Sequence, residues 1–185
     1  MKVSKQTSAR HRAALLQAAS GLFRERGFEG VSISDIAAAA DLTHGAFYTH
    51  FSSKEALCAE VVEQTVGETV AFAKATPNRR ARFAYYLSAG HAEDRAEGCP
   101  LAALGGDVAR QSHEIRTAFS RPLDRLFDVL ASEEPAGVAH ARERAIAGLA
   151  MRVGALVLAR ATADPELRDE ILRAAKHALL DPASE

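Results

Sequence analysis

From Leu15 to Leu179 the apolar residues of this chain recur at intervals of three and four, and nowhere do β-branched residues alternate over a useful length. Intervals of three and four put side chains on one face of a helix, whereas a half-buried strand needs an interval of two. This regularity restricts the chain to helix packed on helix. The 185 residues are 48% hydrophobic and 25% charged, which is enough apolar surface for a sizeable core. The expected fold class is all-α.

The helices carry their own punctuation. Leu15, Ala18, Ala19, Leu22 and Phe23 form one stripe, which Gly27 ends. Ser32 or Ser34 caps a short second helix, SDIAAAA, with Ile36 and Ala40 on its inward edge. After the turn Asp41-Leu42-Thr43, Thr43 caps a third helix, HGAFYTHF; Ser52-Ser53 and Lys54-Glu55 then open a fourth, striped by Leu57, Val61 and Val66, which runs to about Ala75 before Pro77-Asn78. RRARFAYYLSAGHAE predicts the next helix, DRAEG a polar link, and CPLAALGGDVARQ and HEIRTAFSRPLDRLFDVLAS two more, with Pro122 kinking the latter or resetting its start. EEPAG breaks the chain before two final helices over 138–162 and 165–180.

The third helix concentrates the aromatic residues. Aromatics make up only 6% of the chain, yet Phe47, Tyr48 and Phe51 fall within five residues. At 100° per residue Phe47 and Phe51 share a face, while Gly45 and Thr49 point nearly the opposite way. One side is anchored and the other is offered. A short capped helix, a tight turn and a second short helix behind a longer packing helix make a helix-turn-helix, which presents its second helix to the DNA major groove. The candidate contact set is Ser34, Thr43, His44, Gly45, Ala46, Tyr48, Thr49 and His50, with Lys54 supplying a phosphate contact. An isolated corner of two helices is more often structural; the combination of Gly45, Tyr48 and Lys54 favours DNA.

The stretch from Arg10 to about Val66 resembles the DNA-binding domain of the TetR family of bacterial transcriptional repressors. The resemblance rests on Phe23 with Gly27, on Ser32 to Ala37, and on Gly45, Tyr48, Phe51 and Lys54 at fixed separations, and it covers roughly a third of the chain. The family usually has Lys or Arg at the position of His44 and commonly Thr or Ser at that of Ala46. The resemblance implies a DNA-binding domain over residues 8–54 and a helical domain for effector binding and dimerisation over 55–185, joined by the helix from about 54 to 75. It implies a ligand-responsive regulator, most often a repressor, that binds a pseudopalindromic double-stranded operator as a homodimer. Its expected dimer helices carry Ile146, Leu149, Val153 and Leu156 on one stripe and Leu167, Ile171, Ala175 and Leu179 on the other. Its expected pocket for a small hydrophobic effector draws on Phe83, Tyr86, Leu104, Val108, Phe119 and Phe127, beside the gaps left by Gly90, Gly105 and Gly106.

Charge and motif content narrow the alternatives. The net charge is −1, so no global field announces a nucleic acid or a membrane; residues 1–54 hold seven Lys/Arg against four Asp/Glu, a net of +3 that leaves −4 for the remainder. The polar, basic start lacks a leader pattern, and the best apolar run, AIAGLAMRVGALVLARA, is interrupted by Arg152, so a cytoplasmic protein without a membrane partner is expected. Cys58 and Cys99 read as reduced thiols. His44 and His50 fall about 240° apart on a helix, and HAEDRAEGC lacks a second Cys or His at ligand spacing, so no metal is expected. Gly105-Gly106 lacks the Lys-Ser/Thr of a phosphate loop, and no G-x-S-x-G elbow occurs. Neither an enzyme nor a cofactor is expected. The competing readings are a helical protein-interaction module and an enzyme with a site in the bundle.

Overall fold

A computed structural model describes residues 5–76, 78–135 and 137–180. The described residues form ten helices and no strand: α1 (Lys5–Arg26), α2 (Ile33–Ala39), α3 (His44–Phe47), α4 (Lys54–Ala75), α5 (Arg79–Tyr86), α6 (Ala89–Glu93), α7 (Pro100–Val108), α8 (His113–Ala131), α9 (Ala141–Ala161) and α10 (Pro165–Leu180). Pro77 and Ala136, expected in chain breaks, lie outside the described residues. No helix among those described is long and apolar enough to cross a membrane.

Local chemistry sets the helix ends. Ser32 is the N-cap of α2, its Oγ accepting from the Asp35 N–H while the Asp35 carboxylate accepts from the Ser32 N–H, so two orphan donors are satisfied at once. Ser53, Asn78, Ser88 and Ser112 cap α4, α5, α6 and α8 in the simpler one-way form. Gly27 ends α1 at φ +71°, a conformation costly for any residue with a Cβ, and its N–H closes on the Phe23 carbonyl at 2.8 Å. A Cβ there would also lie 2.4 Å from the Asp107 carboxylate.

Two differences from the expected helices have physical causes. RRARFAYYLSAGHAE is two helices, because Leu87 leaves helical geometry and Ser88 starts α6 with a fresh cap. Pro122 neither stops nor restarts α8, which runs from His113 to Ala131 around it. A proline inside a helix costs about 3 kcal/mol. Burial of its ring against the rest of the core offsets that cost.

Two apolar clusters make the core. The first joins Leu15, Phe23, Phe28, Ile36, Phe47, Phe51, Leu57 and Val61 to Leu104, Val108 and Ile115. The second gathers Val66 and Val70 of α4 with Leu101, Leu126, Leu149, Leu156 and Leu172. Packing therefore crosses position 54: α7 and the start of α8 complete the core beneath the helix-turn-helix. Polar bonds tie the same junction, since the Phe28 N–H donates to Asp107 Oδ2 at 3.2 Å and Arg24 donates to the Gly98 carbonyl at 3.1 Å. α4 contributes to both clusters.

Candidate functional site

The helix-turn-helix is built on its aromatic anchors. Phe47 and Phe51 are buried with ring centroids 5.7 Å apart, and Tyr48 packs edge-on to Phe47 while remaining 53% exposed. Thr43 caps α3 by accepting from the Ala46 N–H at 3.2 Å. The helix itself covers only His44–Phe47, and residues 48–50 continue as a turn closed by the Thr49, His50 and Phe51 N–H groups on the carbonyls of Ala46 and Phe47. Ser34 serves a different purpose from a cap: its Oγ lies 2.9 Å from His44 Nδ1 and pins α2 to α3. His44, Gly45, Tyr48 and Thr49 are exposed, and Ala46 and His50 half-buried.

Gly45 is informative by what does not constrain it. A Cβ added there meets nothing within 4 Å, and its φ is not positive. Among the described residues nothing demands glycine, and the position is open to the outside. Thr49 directs its hydroxyl hydrogen back to the Ala46 carbonyl at 2.7 Å, which leaves its lone pairs outward. Lys54 Nζ donates to the Phe28 carbonyl at 2.5 Å, so it clamps the loop after α1 as well as marking the start of α4.

The sequence reading missed the start of α1. His11 meets His50 edge-on at 6.2 Å, and Arg12 lies 4.6 Å over the Phe51 ring and pairs with Glu60. The first turns of α1, with exposed Lys5 and Arg10, thus flank the reader helix. The basic character of residues 1–12 was the available signal. Burial, then the neighbouring His11 and Arg12, holds the His50 imidazole below its ordinary value and so favours its neutral form.

A second site lies in the helical bundle. A cavity of about 280 Å³ opens between α4, α5, the α6–α7 connection, α8 and α9. Of the six residues expected to line a pocket, Tyr86 does. Leu104 and Val108 instead fill the core under the helix-turn-helix, Phe119 bridges the two apolar clusters, Phe83 lies beneath the Arg152 guanidinium and Phe127 beneath that of Arg142. Gly105 and Gly106 do not line it. The walls come from residues far apart in sequence, among them Thr65, Phe72, His91, Cys99, Leu126 and Arg152.

The polar groups of this cavity are mostly accounted for. His91 is buried; its Nδ1–H donates to the Tyr86 carbonyl at 2.8 Å and its Nε2 accepts from the Cys99 N–H at 3.1 Å, an arrangement that requires the neutral ring. Burial holds His91 below its usual range, although the bond to Tyr86 works the other way. Arg82 reaches the carbonyls of Ala73 and Thr76 and pairs with Glu133. Arg160 closes the end of α6 on the carbonyls of His91, Ala92 and Asp94. Cys58, away from the cavity, is a buried thiol pushed up to about 12 by desolvation, and so is unreactive.

The expected dimer stripes divide. Leu149, Leu156 and Ala175 are buried within the subunit, with Leu156 wholly inaccessible, while Val153, Ile171 and Leu179 pack partly against the same core. Ile146 and Leu167 remain exposed. The outward face of α9 is a different one: Ala147, Ala150, Met151, Gly154, Leu158 and Ala161 recur at three and four, with Leu158 59% exposed.

Comparison with known proteins accords with this geometry. Residues 15–61 match the sequence model of the bacterial regulatory proteins of the tetR family. That segment is a DNA-binding domain of the TetR type. It is similar to the HTH-type transcriptional repressor DhaR of Mycobacterium sp. strain GP1, 31% identical over 114 residues that cover 58% of this chain and 57% of that protein. It is also similar to the HTH-type transcriptional regulator YvdT of Bacillus subtilis, 41% identical over 66 residues, 36% of this chain and 34% of that protein. The chain thus spans about half or less of these relatives' length. Among solved structures, reduced NemR of E. coli has a TM-score of 0.74 at 22% identity, covering 94% of this chain and 99% of its own. A TetR-family regulator of Agrobacterium tumefaciens has a TM-score of 0.76 at 22% identity, covering 92% and 97%. The all-α TetR fold accordingly extends over nearly the whole chain.

Proposed function

We propose that this chain is a ligand-responsive transcriptional repressor of the TetR family acting in the bacterial cytoplasm. It binds a pseudopalindromic operator as a homodimer and is released by a small molecule in the bundle cavity. The observation that carries the DNA role is the α2–α3 corner, which anchors Phe47 and Phe51 inward and leaves Gly45, Tyr48 and Thr49 outward on a surface where no described residue demands glycine at 45. Ser34, Thr43, His44, Ala46 and His50 complete the contact surface, and Lys54 with Lys5 and Arg10 of α1 supplies charge for the flanking phosphates.

Dimerisation is assigned to the outward stripe of α9, from Ala147 to Ala161, together with exposed Leu167 of α10. Small residues at Ala147, Ala150 and Gly154 let a partner helix approach closely, and Met151 and Leu158 supply apolar area at the centre. Coupling is assigned to α4. It starts at Lys54 beside the corner and lines the cavity with Thr65, Thr69 and Phe72, so a ligand that shifts α4 alters the spacing of the two reader helices. One solved example of the fold, FadR of Bacillus subtilis, is in complex with stearoyl-CoA, so the architecture accommodates a small-molecule ligand.

The decisive experiment is fluorescence anisotropy of the full chain with a labelled duplex from its own promoter region. Binding that saturates with a dimer per site, prefers that sequence over a scrambled duplex and weakens steeply with salt is the expected result. Binding indifferent to both sequence and salt would instead identify a protein-interaction module.

A further inference from the structure

Two arginines are buried beside the same cavity, and only one has an anion. Arg82 and Arg152 are 6% and 7% exposed. Arg82 is paired with Glu133 and bonded to two carbonyls. Arg152 spends its Nε–H on the Gly148 carbonyl of its own helix at 3.2 Å, and its guanidinium stacks 4.1 Å over Phe83 and 5.9 Å from Tyr86. No carboxylate among the described residues pairs with it, and its two terminal nitrogens bond to none of them. Burial draws its pKa down to about 10, which still leaves it fully charged at neutral pH. A buried charge without a counterion is expensive and rarely left so without a use.

A second group beside it is also incomplete. The Tyr86 hydroxyl is buried and has no hydrogen-bond partner among the described residues. Burial, and after it the neighbouring Cys99 thiol, keeps the phenol protonated. A phenol O–H and a guanidinium face, both buried and both with unused donors, line one apolar cavity with Leu101, Leu126 and Leu130. The acidic residues at the cavity, Glu68 and Glu97, are exposed, so water screens them. The remaining cations, Arg24 and Arg82, already have partners.

We propose that the cavity takes a small carboxylic acid in its anionic form, with the carboxylate on the Arg152 guanidinium and the Tyr86 hydroxyl and the hydrocarbon part against the leucines. This rests on the ligand-responsive reading above and specifies its effector class. A cavity of about 280 Å³ holds the volume of roughly nine waters, which suits an acid of about ten to fifteen non-hydrogen atoms. Arg is the side chain best shaped to grip a carboxylate through two parallel bonds. A neutral amide of the same shape brings no charge to compensate the arginine.

The test compares octanoate with octanamide by isothermal titration on the full chain, without DNA. The acid is expected to bind roughly ten- to a hundredfold more tightly than the amide, the factor for hydrogen bonds to a charged group. Arg152→Gln removes that preference, and Tyr86→Phe, which deletes one oxygen and keeps the ring, weakens the acid several-fold and the amide by less, since its neutral oxygen accepts the weaker bond. Equal affinity for acid and amide, absence of binding by both, or an acid preference that survives in Arg152→Gln overturns the assignment. Should Arg152→Gln fail to fold, Tyr86→Phe decides alone, and unchanged acid affinity in it counts against the proposal. The titration reads the site without DNA, and the same acid added to the anisotropy experiment reads the response: an acid that binds as expected but does not release the operator counts against the ligand-responsive reading and leaves the site standing.

Discussion

The helix-turn-helix end and the bundle cavity handle polar groups in opposite ways. At the first, Ser32, Thr43 and Ser53 satisfy backbone donors locally, and the side chains proposed to meet DNA are exposed or half-buried, with solvent at hand for the polar groups they do not use internally. At the second, Arg152 and the Tyr86 hydroxyl are buried and left incomplete. Surface recognition is inexpensive for the fold, because solvent satisfies what the ligand later takes. Interior recognition is not, since an empty site holds desolvated groups whose cost only a ligand offsets. The two ends should therefore respond differently to mutation: changes at the corner alter binding, and changes in the bundle alter stability as well.

The largest effect separates the two faces of α9. Leu156→Glu places a charge at a position with no accessible surface and should cost at least about 3 kcal/mol, unfolding the subunit in a circular-dichroism melt. Leu158→Glu, two residues on and exposed, should leave the melt of the isolated subunit near its parent value and shift sedimentation from dimer to monomer. A dimeric Leu158→Glu variant would move the interface off this stripe.

At the corner, Tyr48→Ala should weaken operator binding by roughly 1–3 kcal/mol with an unchanged melting temperature. Lys54→Ala sharpens the comparison, because its ammonium also holds the Phe28 carbonyl. It should lower both operator affinity, equally on all sequences, and the melting temperature. A Lys54 variant that loses only affinity would show that the bond to Phe28 contributes nothing to folding.

The junction between the two regions should be less sensitive. Gly27→Ala forces a Cβ into a left-handed backbone and against Asp107, and a loss of roughly 1–2 kcal/mol in denaturant unfolding is expected. The smallest effect is on pH. His91 is held below its ordinary value, so the unfolded chain takes up a proton before the folded one does. Its contribution is complete above about pH 6.5 and is lost as pH falls below that towards the folded-state value. The melting temperature should fall on acidification from pH 7 to 5.5, and less steeply in His91→Gln. An identical slope in the variant would shift the effect to His50, which is lowered in the same direction.

What the sequence by itself determined is what lies within a few residues of its cause. Helix periodicity, the cap at Thr43, the stop at Gly27 and the paired anchors Phe47 and Phe51 are local and were legible from spacing and residue type, while the choice of Ser32 over Ser34 and of Ser53 over Ser52 as caps came from the structure. The tertiary structure decided the rest. α9 is apolar on two faces, Leu149, Ala155, Leu156 and Ala159 on one and Ala147, Met151, Gly154 and Leu158 on the other, whereas the sequence reading took a single stripe, and only the packed structure separates the face turned to the core from the one left outward. The cavity has walls from Arg24 to Arg152, and the empty space depends on how helices remote in sequence settle against one another. In the sequence Arg152 only interrupts an apolar run. Its importance is that no carboxylate among the described residues reaches it, and that is a property of the packed molecule alone.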